Sequence, residues 1–514
     1  MTVKNTKFVT QKKAAIVVTS PVGADITLEN VDLAGVKADG FNAVWVDEDY
    51  KDSADEVSVT GGFCKVEDAE DNAENNPFLR ENGTVTLPSG HFVMPAKVAN
   101  GLTIEGATNG TTVLDMTGDN PSQVSGLTFN NVTLNVSTEY YHGITHSSGL
   151  AYNNCVINGT LWLYSTASFT DCTFNVEGDA YNVWTYGSTE ATFKNCTFNC
   201  DGKSVLVYNE GGNGSVVTMN QCSFVARKAV DGKAAVEIDS SLLPEGKKFV
   251  VNLNGCSAEG FGRGSVSNNM LFNHKKGSKA SVFVDGTKAV STIDEANAAT
   301  ESKIYLAGKF FGGAILAKSN TEYHGYDGSV VGCINLNATN NVTLKDIDFD
   351  AEHAEVAYSL RSGDTKIRYA NIVSGTETKN TYSGARNIKI DNCTFSGDMK
   401  YGAAAIAFTD QGRTSGYSGN ITITKCTFDF EGTGYDIYCF YAGYENFVIT
   451  NNQFNSKFNG GGHIFLGSYA SATPVVIQNN KFPNVASLTD AMYLTSNSND
   501  HGVSVDASNN TFGN

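Results

Sequence analysis

The chain is poor in charge and has no long apolar run. Asp, Glu, Lys and Arg make up only 18% of its 514 residues, while Gly alone contributes 52. Asn, Ser and Thr are also abundant, a balance that suits short strands joined by many turns rather than a helical bundle. No stretch of about 20 apolar residues occurs, so no helical membrane span or membrane insertion is expected. Basic residues are outnumbered, 36 against 54 acidic ones, and no basic stripe offsets the formal charge of -18. Nucleic acid and anionic membrane are therefore not expected as partners, because both need Lys and Arg against phosphate. The N-terminus reads MTVKNTKFVTQKKAAIVV, and its apolar run from Ala14 to Val18 is too short for a signal-peptide core. No lipidation motif is present. The expectation is a chain that stays in the cytoplasm or leaves without a cleaved leader, as a virus particle does on lysis. The eleven cysteines are an odd number. They form no CxxC pair and no Cys/His zinc spacing, so neither a metal site nor any other cofactor is expected.

What is present is a six-residue phrase that keeps returning. It reads FTDCTF at Phe169, FKNCTF at Phe193, MNQCSF at Met219, IDNCTF at Ile390 and ITKCTF at Ile423. Looser copies include LENVDL at Leu28, FNNVTL at Phe129, YNNCVI at Tyr152, LKDIDF at Leu344, ITNNQF at Ile449 and IQNNKF at Ile477. Neighbouring copies mostly lie about 17 to 34 residues apart, a spacing that implies a stacked array. Asn fills the third slot at Asn5, Asn30, Asn131, Asn154, Asn195, Asn371, Asn392, Asn451 and Asn479. Asn tolerates the left-handed conformation best among non-glycine residues, so each copy predicts a sharp bend between two short strands. Stacked turns would let the Asn amides bond along the axis. The fourth slot holds Cys155, Cys172, Cys196, Cys222, Cys256, Cys393 and Cys426, which predicts a file of small buried thiols.

A second class of alternating strand follows most copies. Examples are AVWVDED from Ala43, YNVWTYG from Tyr181, SVLVYNE from Ser204, AAVEIDS from Ala234, DIYCFYA from Asp436, GHIFLG from Gly462 and AMYLTS from Ala491. Together the two classes resemble the right-handed parallel β-helix of the pectate-lyase-like superfamily, over nearly the whole chain. The resemblance implies an all-β solenoid with three short strands per coil, stacked about 4.8 Å apart. It is similar to the β-helix fibre and spike proteins of phages and to surface proteins of gut bacteria. Strict hexapeptides of a left-handed helix and GGxGxD nonapeptides of a calcium-binding roll are both missing.

The array starts more than once. Gly83 to Leu134 and Ser302 to Phe349 share one plan, and each follows a polar stretch with helical potential, around Glu67 to Asn82 and Thr292 to Ser302. The expected organisation is terminal coils of a β-helix over 1–65, a first module over 66–280 and a second over 281–514. Uncapped stack ends expose unpaired backbone groups, so another chain is expected to cover them: a homo-oligomer or other virion subunits.

Catalytic signatures are scarce. The NTD, DD, GHG and RIK strings of polygalacturonase-type hydrolases are absent, and no acidic cluster accompanies Arg361 or Arg413 as calcium-dependent lyases would need. Two carboxylate pairs remain as candidates for acid and base or nucleophile, Glu237 with Asp239 and Asp47 with Asp49, each read as alternating on one strand face. The alternative is solvated acidic residues on a sheet face. His142 and His146 lie in strand and turn, where a spacing of four does not make a metal site. Outward aromatics are the other candidates. If Ile437, Cys439, Ile464, Leu466, Met492 and Leu494 point inward, then Tyr438, Phe440, Phe465 and Tyr493 point outward. The same logic turns Trp45, Trp184, Tyr186 and Tyr208 outward. Such rings could contact a cell-surface polysaccharide, form a subunit interface, or fill the core if the register is inverted.

The expected function is a non-enzymatic structural or receptor- or glycan-binding appendage: a bacteriophage fibre, spike or capsid decoration, located on the virion. Two alternatives stand beside it. One is a polysaccharide-degrading tailspike, lyase or glycoside hydrolase; the other is a fragment of a bacterial surface adhesin.

Overall fold

The computed structural model describes the chain except residues 11–13, 21–22, 37–42, 69, 117–122, 140–143, 145–146, 211–213, 263–269, 276–277, 327, 357–368, 375–383, 410–417, 441–444, 468–473, 495–503 and 514. It divides into two compact units, one of Met1–Ser265 and Met270–Gly286, the other built on Thr287–Asn514. Each is a parallel β-helix. Among the described residues no helix is long and apolar enough to cross a membrane.

Unit 1 stacks three longer ladders of short strands, besides two three-stranded parallel sheets within residues 2–66. One climbs in parallel register from Thr84–Thr86 through Thr166–Thr170 and Glu190–Lys194 to Ser281–Val284. The second runs from Lys7–Thr10 to Ser257–Glu259, and Val31 pairs with Gly90, so the coils before residue 65 share it with those after. The third comprises β1 (Leu161–Leu163), β2 (Val183–Thr185), β3 (Val205–Glu210), β4 (Val236–Leu242) and β5 (Phe272–His274).

The recurring phrase supplies the first two ladders and the bend between them. Its apolar ends point inward and meet their own copies one coil away. Phe129, Tyr152, Phe169 and Phe193 stack at 5.1, 4.7 and 4.6 Å, and Phe174, Phe198 and Phe224 at 4.5 and 4.7 Å. Parallel rings at that spacing each add about 0.5–1.5 kcal/mol beyond the area they bury. The third slot is left-handed, with φ of 51° at Asn154, 55° at Asp171 and 54° at Asn195. The amides bond along the stack as the pattern predicts: Asn154 Nδ2 donates to Asn131 Oδ1 at 2.8 Å and Asn195 Nδ2 to Asp171 Oδ1 at 2.6 Å. The fourth-slot thiols also reach back one coil, Cys172 Sγ to the Tyr152 carbonyl at 3.4 Å and Cys196 Sγ to that of Phe169 at 3.7 Å. All eleven cysteines are free. Contact with the preceding thiol, together with burial, pushes Cys172 and Cys196 up to about 12, so they stay protonated and inert.

Unit 2 repeats the scheme. Thr292 caps a short helix, Ile293–Ala298, by accepting from the Glu295 amide at 3.2 Å. The polar stretch before Gly83 forms only a 3-10 turn, Pro77–Leu79, which buries Phe78. The strands that carry the second class here are β6 (Tyr369–Ser374), β7 (Thr394–Thr409), β8 (Thr427–Phe440), β9 (Lys457–Gly467) and β10 (Met492–Leu494), paired in parallel. Phe349, Phe395, Phe428, Phe454 and Phe482 stack through the core at 4.6 to 4.9 Å. Asn371 departs from the turn pattern. It is buried inside β6, where its amide donates to the carbonyls of Gly332 and Asp350 at 2.7 and 2.8 Å.

Candidate functional site

The third ladder of unit 1 brings most of the candidate residues together. Val183, Val205 and Val236 turn inward on β2, β3 and β4, so the residues between them turn outward. Register then builds two outward files. Trp162, Trp184, Leu206, Glu237 and Asn273 lie side by side on β1 to β5. Tyr164, Tyr186, Tyr208, Asp239 and Lys275 occupy the matching positions two residues further on, with Tyr208 paired to Asp239. Each file is aromatic over its first coils; the one ends on Glu237 and the Asn273 amide, the other on Asp239 and Lys275.

The aromatic part is ordered. Trp162 and Trp184 stack at 4.5 Å with planes 18° apart, and Tyr164 and Tyr186 at 4.8 Å and 27°. Rings stacked along the axis cover one another's faces and present edges outward. The order breaks next to the carboxylates: Tyr208 tilts 51° from Tyr186 and stands 79° to Trp184. Tyr181 meets Trp184 edge to face at 5.8 Å, with Lys203 over its ring.

The ionic part pairs two carboxylates in contrasting surroundings. Glu237 accepts from the Ala234 amide at 2.6 Å and faces Lys233 Nζ at 3.4 Å, and Lys233 also reaches the Tyr181 hydroxyl at 3.3 Å. Burial holds the Glu237 carboxyl above the usual range, against the pull of those donors and of Asn273. Burial also acts on Asp239, but Lys275 at 2.7 Å and both donors of Ser241 outweigh it and hold that carboxyl below the usual range. Lys233 is raised: burial pulls it down, and Glu237 and Tyr181 more than offset this. One carboxyl is thus inclined to keep a proton and its neighbour to lose one.

The other candidates lie elsewhere. Trp45 sits half-buried on the strand Val44–Val46, with Lys65 Nζ 5.6 Å from its ring. Asp47 and Asp49 do not alternate on a strand. The strand ends at Val46, and Asp47 caps a 3-10 helix, Glu48–Glu56, by accepting from the Asp49 amide at 3.2 Å. A carboxylate with a helix-capping bond to make leaves the strand pattern, which corrects the expected pairing. Tyr438 and Phe465 do turn away from Ile437, Cys439, Ile464 and Leu466, but their side is covered as well, at 0% and 1% exposure. They stack at 4.4 Å in a second small core with Cys333, Ala370, Val373, Ala404 and Ala407, and Tyr435 packs against it. Rings so buried cannot stack on a ligand, which corrects the expectation of exposure. The side chains of Phe440 and Tyr493, and His142 and His146 entirely, lie outside the described residues.

Trp162, Tyr164, Tyr181, Lys233, Asn273 and Lys275 were not among the sequence candidates. The first two were legible in LWLYS from Leu161, which alternates like the later copies. Tyr181 opens the YNVWTYG copy and Lys233 lies four residues before Glu237, whereas Asn273 and Lys275 depend on inter-coil register. Among the described residues no group of three His, Cys, Asp or Glu could hold a metal ion.

No protein-family model matches the chain, and no curated protein matches it. Among solved structures it is similar to tailspike protein 3 of bacteriophage CBA120, with 11% identity and a TM-score of 0.23. The match covers 81% of this chain and 55% of the tailspike, so it spans about half that protein's length.

Proposed function

We propose that the chain is a binding appendage whose ligand face is the third ladder of unit 1, and that its ligand is a glycan. The observation that carries this is the pair of outward files that pass from aromatic rings to a carboxylate–lysine–amide group within five coils. Sugars are bound by that combination: apolar ring edges and faces meet C–H patches, and fixed charged groups bond to hydroxyls. A phage fibre, spike or capsid decoration is the setting that fits, with the virion as its location and a homo-oligomer or other virion subunits as partners. Eleven free thiols support assembly in a reducing compartment such as a host cytoplasm. The test is a glycan array probed with the purified chain and with Trp184→Ala and Tyr208→Ala. Selective binding that both substitutions abolish supports the reading; no binding, or binding that neither affects, overturns it.

A second reading has one observation in its favour. Glu237 and Asp239 are two residues apart on one strand face, roughly 6.6 Å between Cα atoms. Glycosidases use two carboxyl groups whose environments drive their pKa values apart, as burial does for Glu237 and Lys275 with Ser241 for Asp239. Release of reducing ends from a bound polysaccharide, lost in Glu237→Gln, would favour hydrolysis over simple binding.

A further inference from the structure

Three side chains at the edge of the ligand face have a chemistry of their own, which does not rest on the glycan reading. Lys233 lies in the turn before β4, Glu237 on β4, and Asn273 directly across from Glu237 on β5. The Glu237 carboxylate faces the Lys233 amine at 3.4 Å, and strand register sets the Asn273 side chain beside it on the same face. Asn273 Nδ2 also donates to the carbonyl of Gly232, the residue next to Lys233, at 2.8 Å. One carboxylate, only 9% exposed, thus stands between an amine and a primary carboxamide that belong to neighbouring coils.

We propose that Lys233 and Asn273 condense into an isopeptide bond in the folded chain, with Glu237 carrying the protons between them. Lys233 Nζ gives a proton to Glu237, and the free amine attacks Asn273 Cγ. The Nζ–Cγ bond forms as the Cγ–Nδ2 bond breaks. The two protons lost by the lysine ammonium pass through Glu237 to the departing nitrogen, which leaves as ammonium. An amine and an amide become another amide, so no oxidant, reductant or co-reactant is needed.

The surroundings suit that role. A group that accepts from the nucleophile and returns the proton to the leaving nitrogen must lie beside both, and Glu237 is bonded to the one and paired across from the other. Its burial lets it hold the proton between the two steps, where an ordinary surface carboxylate would leave the lysine charged. Lys233 is itself held in its ammonium form, so transfer of a proton to Glu237 has to precede the attack. The neighbouring pair, Lys275 with Asp239, is completed by Ser241 rather than by an amide. It serves as an internal control and should remain uncondensed. The bond would tie two successive coils together and resist their separation.

The test is the intact mass of the purified full chain under denaturing conditions, followed by tryptic mapping. The wild-type chain should be lighter than its sequence by one ammonia. A branched peptide should join Lys233 to Asn273, with no cleavage after Lys233. Lys233→Arg, Asn273→Ser and Glu237→Gln should each restore the sequence mass. A wild-type mass equal to the sequence overturns the proposal and needs no variant to fold. Loss of ammonia mapped instead to an Asn-Gly turn, as a succinimide at Asn254–Gly255 for example, overturns it too. A fully condensed Glu237→Gln chain overturns the role of Glu237.

Discussion

The two units carry the same kind of strand to opposite ends. In unit 1 the outward residues of β2 and β3, Trp184 and Tyr208, remain half-buried and border a charged cluster. In unit 2 the matching residues of β8 and β9, Tyr438 and Phe465, are sealed within a second core. Alternation decides only which side of a strand a residue leaves from. Whether that side meets solvent depends on its neighbours. Small Ala404 and Ala407 on the adjacent strand let Tyr435 pack down over Tyr438, whereas in unit 1 large rings stand next to one another. Aromatic residues at equivalent positions therefore stabilise one unit and give the other its proposed ligand face.

Substitutions can break or sharpen that contrast. The largest effect should come from Phe465→Ala, which opens a cavity in the second core and should cost about 3–5 kcal/mol in denaturant unfolding of unit 2. A cost near zero would mean that this file is not core. Trp184→Ala should lower glycan affinity by about 2 kcal/mol or more, as a hot-spot aromatic does, and stability by only about 1 kcal/mol through the lost ring pair. If stability falls as far as it does for Phe465→Ala, the contrast between the units disappears. Asn154→Val forces a branched side chain into the left-handed turn and should cost about 1–2 kcal/mol. Asn154→Gly should lose less, because glycine accepts that conformation and only the amide bond to Asn131 is removed.

The smallest effect is electrostatic. Asp239 is held below its ordinary value, so its ionised form stabilises the fold above the unfolded-state pKa, and this is lost as pH falls through the lowered folded value. Asp239→Asn should thus be less stable than wild type by about 1 kcal/mol at neutral pH, since Lys275 is largely exposed. The gap should close below the aspartate range in unfolding measured against pH. Glu237 has the opposite sign. Its raised value makes its charge a cost at neutral pH, relieved as pH falls through that value.

Most of the fold was legible in the sequence because one phrase encodes both a strand and its bend. Phe169 and Phe174 mark the inward ends, and the third-slot residue marks the left-handed turn even when it is Asp171 or Gln221 rather than Asn. Asn371 misled because an asparagine can satisfy buried carbonyls as readily as it makes a turn. Part of the candidate site was legible too, since alternation alone groups Trp184 with Tyr186 and Glu237 with Asp239. Asn273 and Lys275 were not, because their contacts come from register between coils some 35 residues apart in sequence. Asp47 was misplaced because a cap bond ended its strand early, a competition that the alternation pattern does not reveal.

The most direct test is a titration of folded wild type, Trp184→Ala and Phe465→Ala with the glycan that the array selects, under conditions where all three are native. The account predicts that wild type and Phe465→Ala bind alike, while Trp184→Ala loses at least about tenfold, or about 1.4 kcal/mol. Equal affinity in wild type and Trp184→Ala, or loss confined to Phe465→Ala, would contradict the assignment of the ligand face to unit 1.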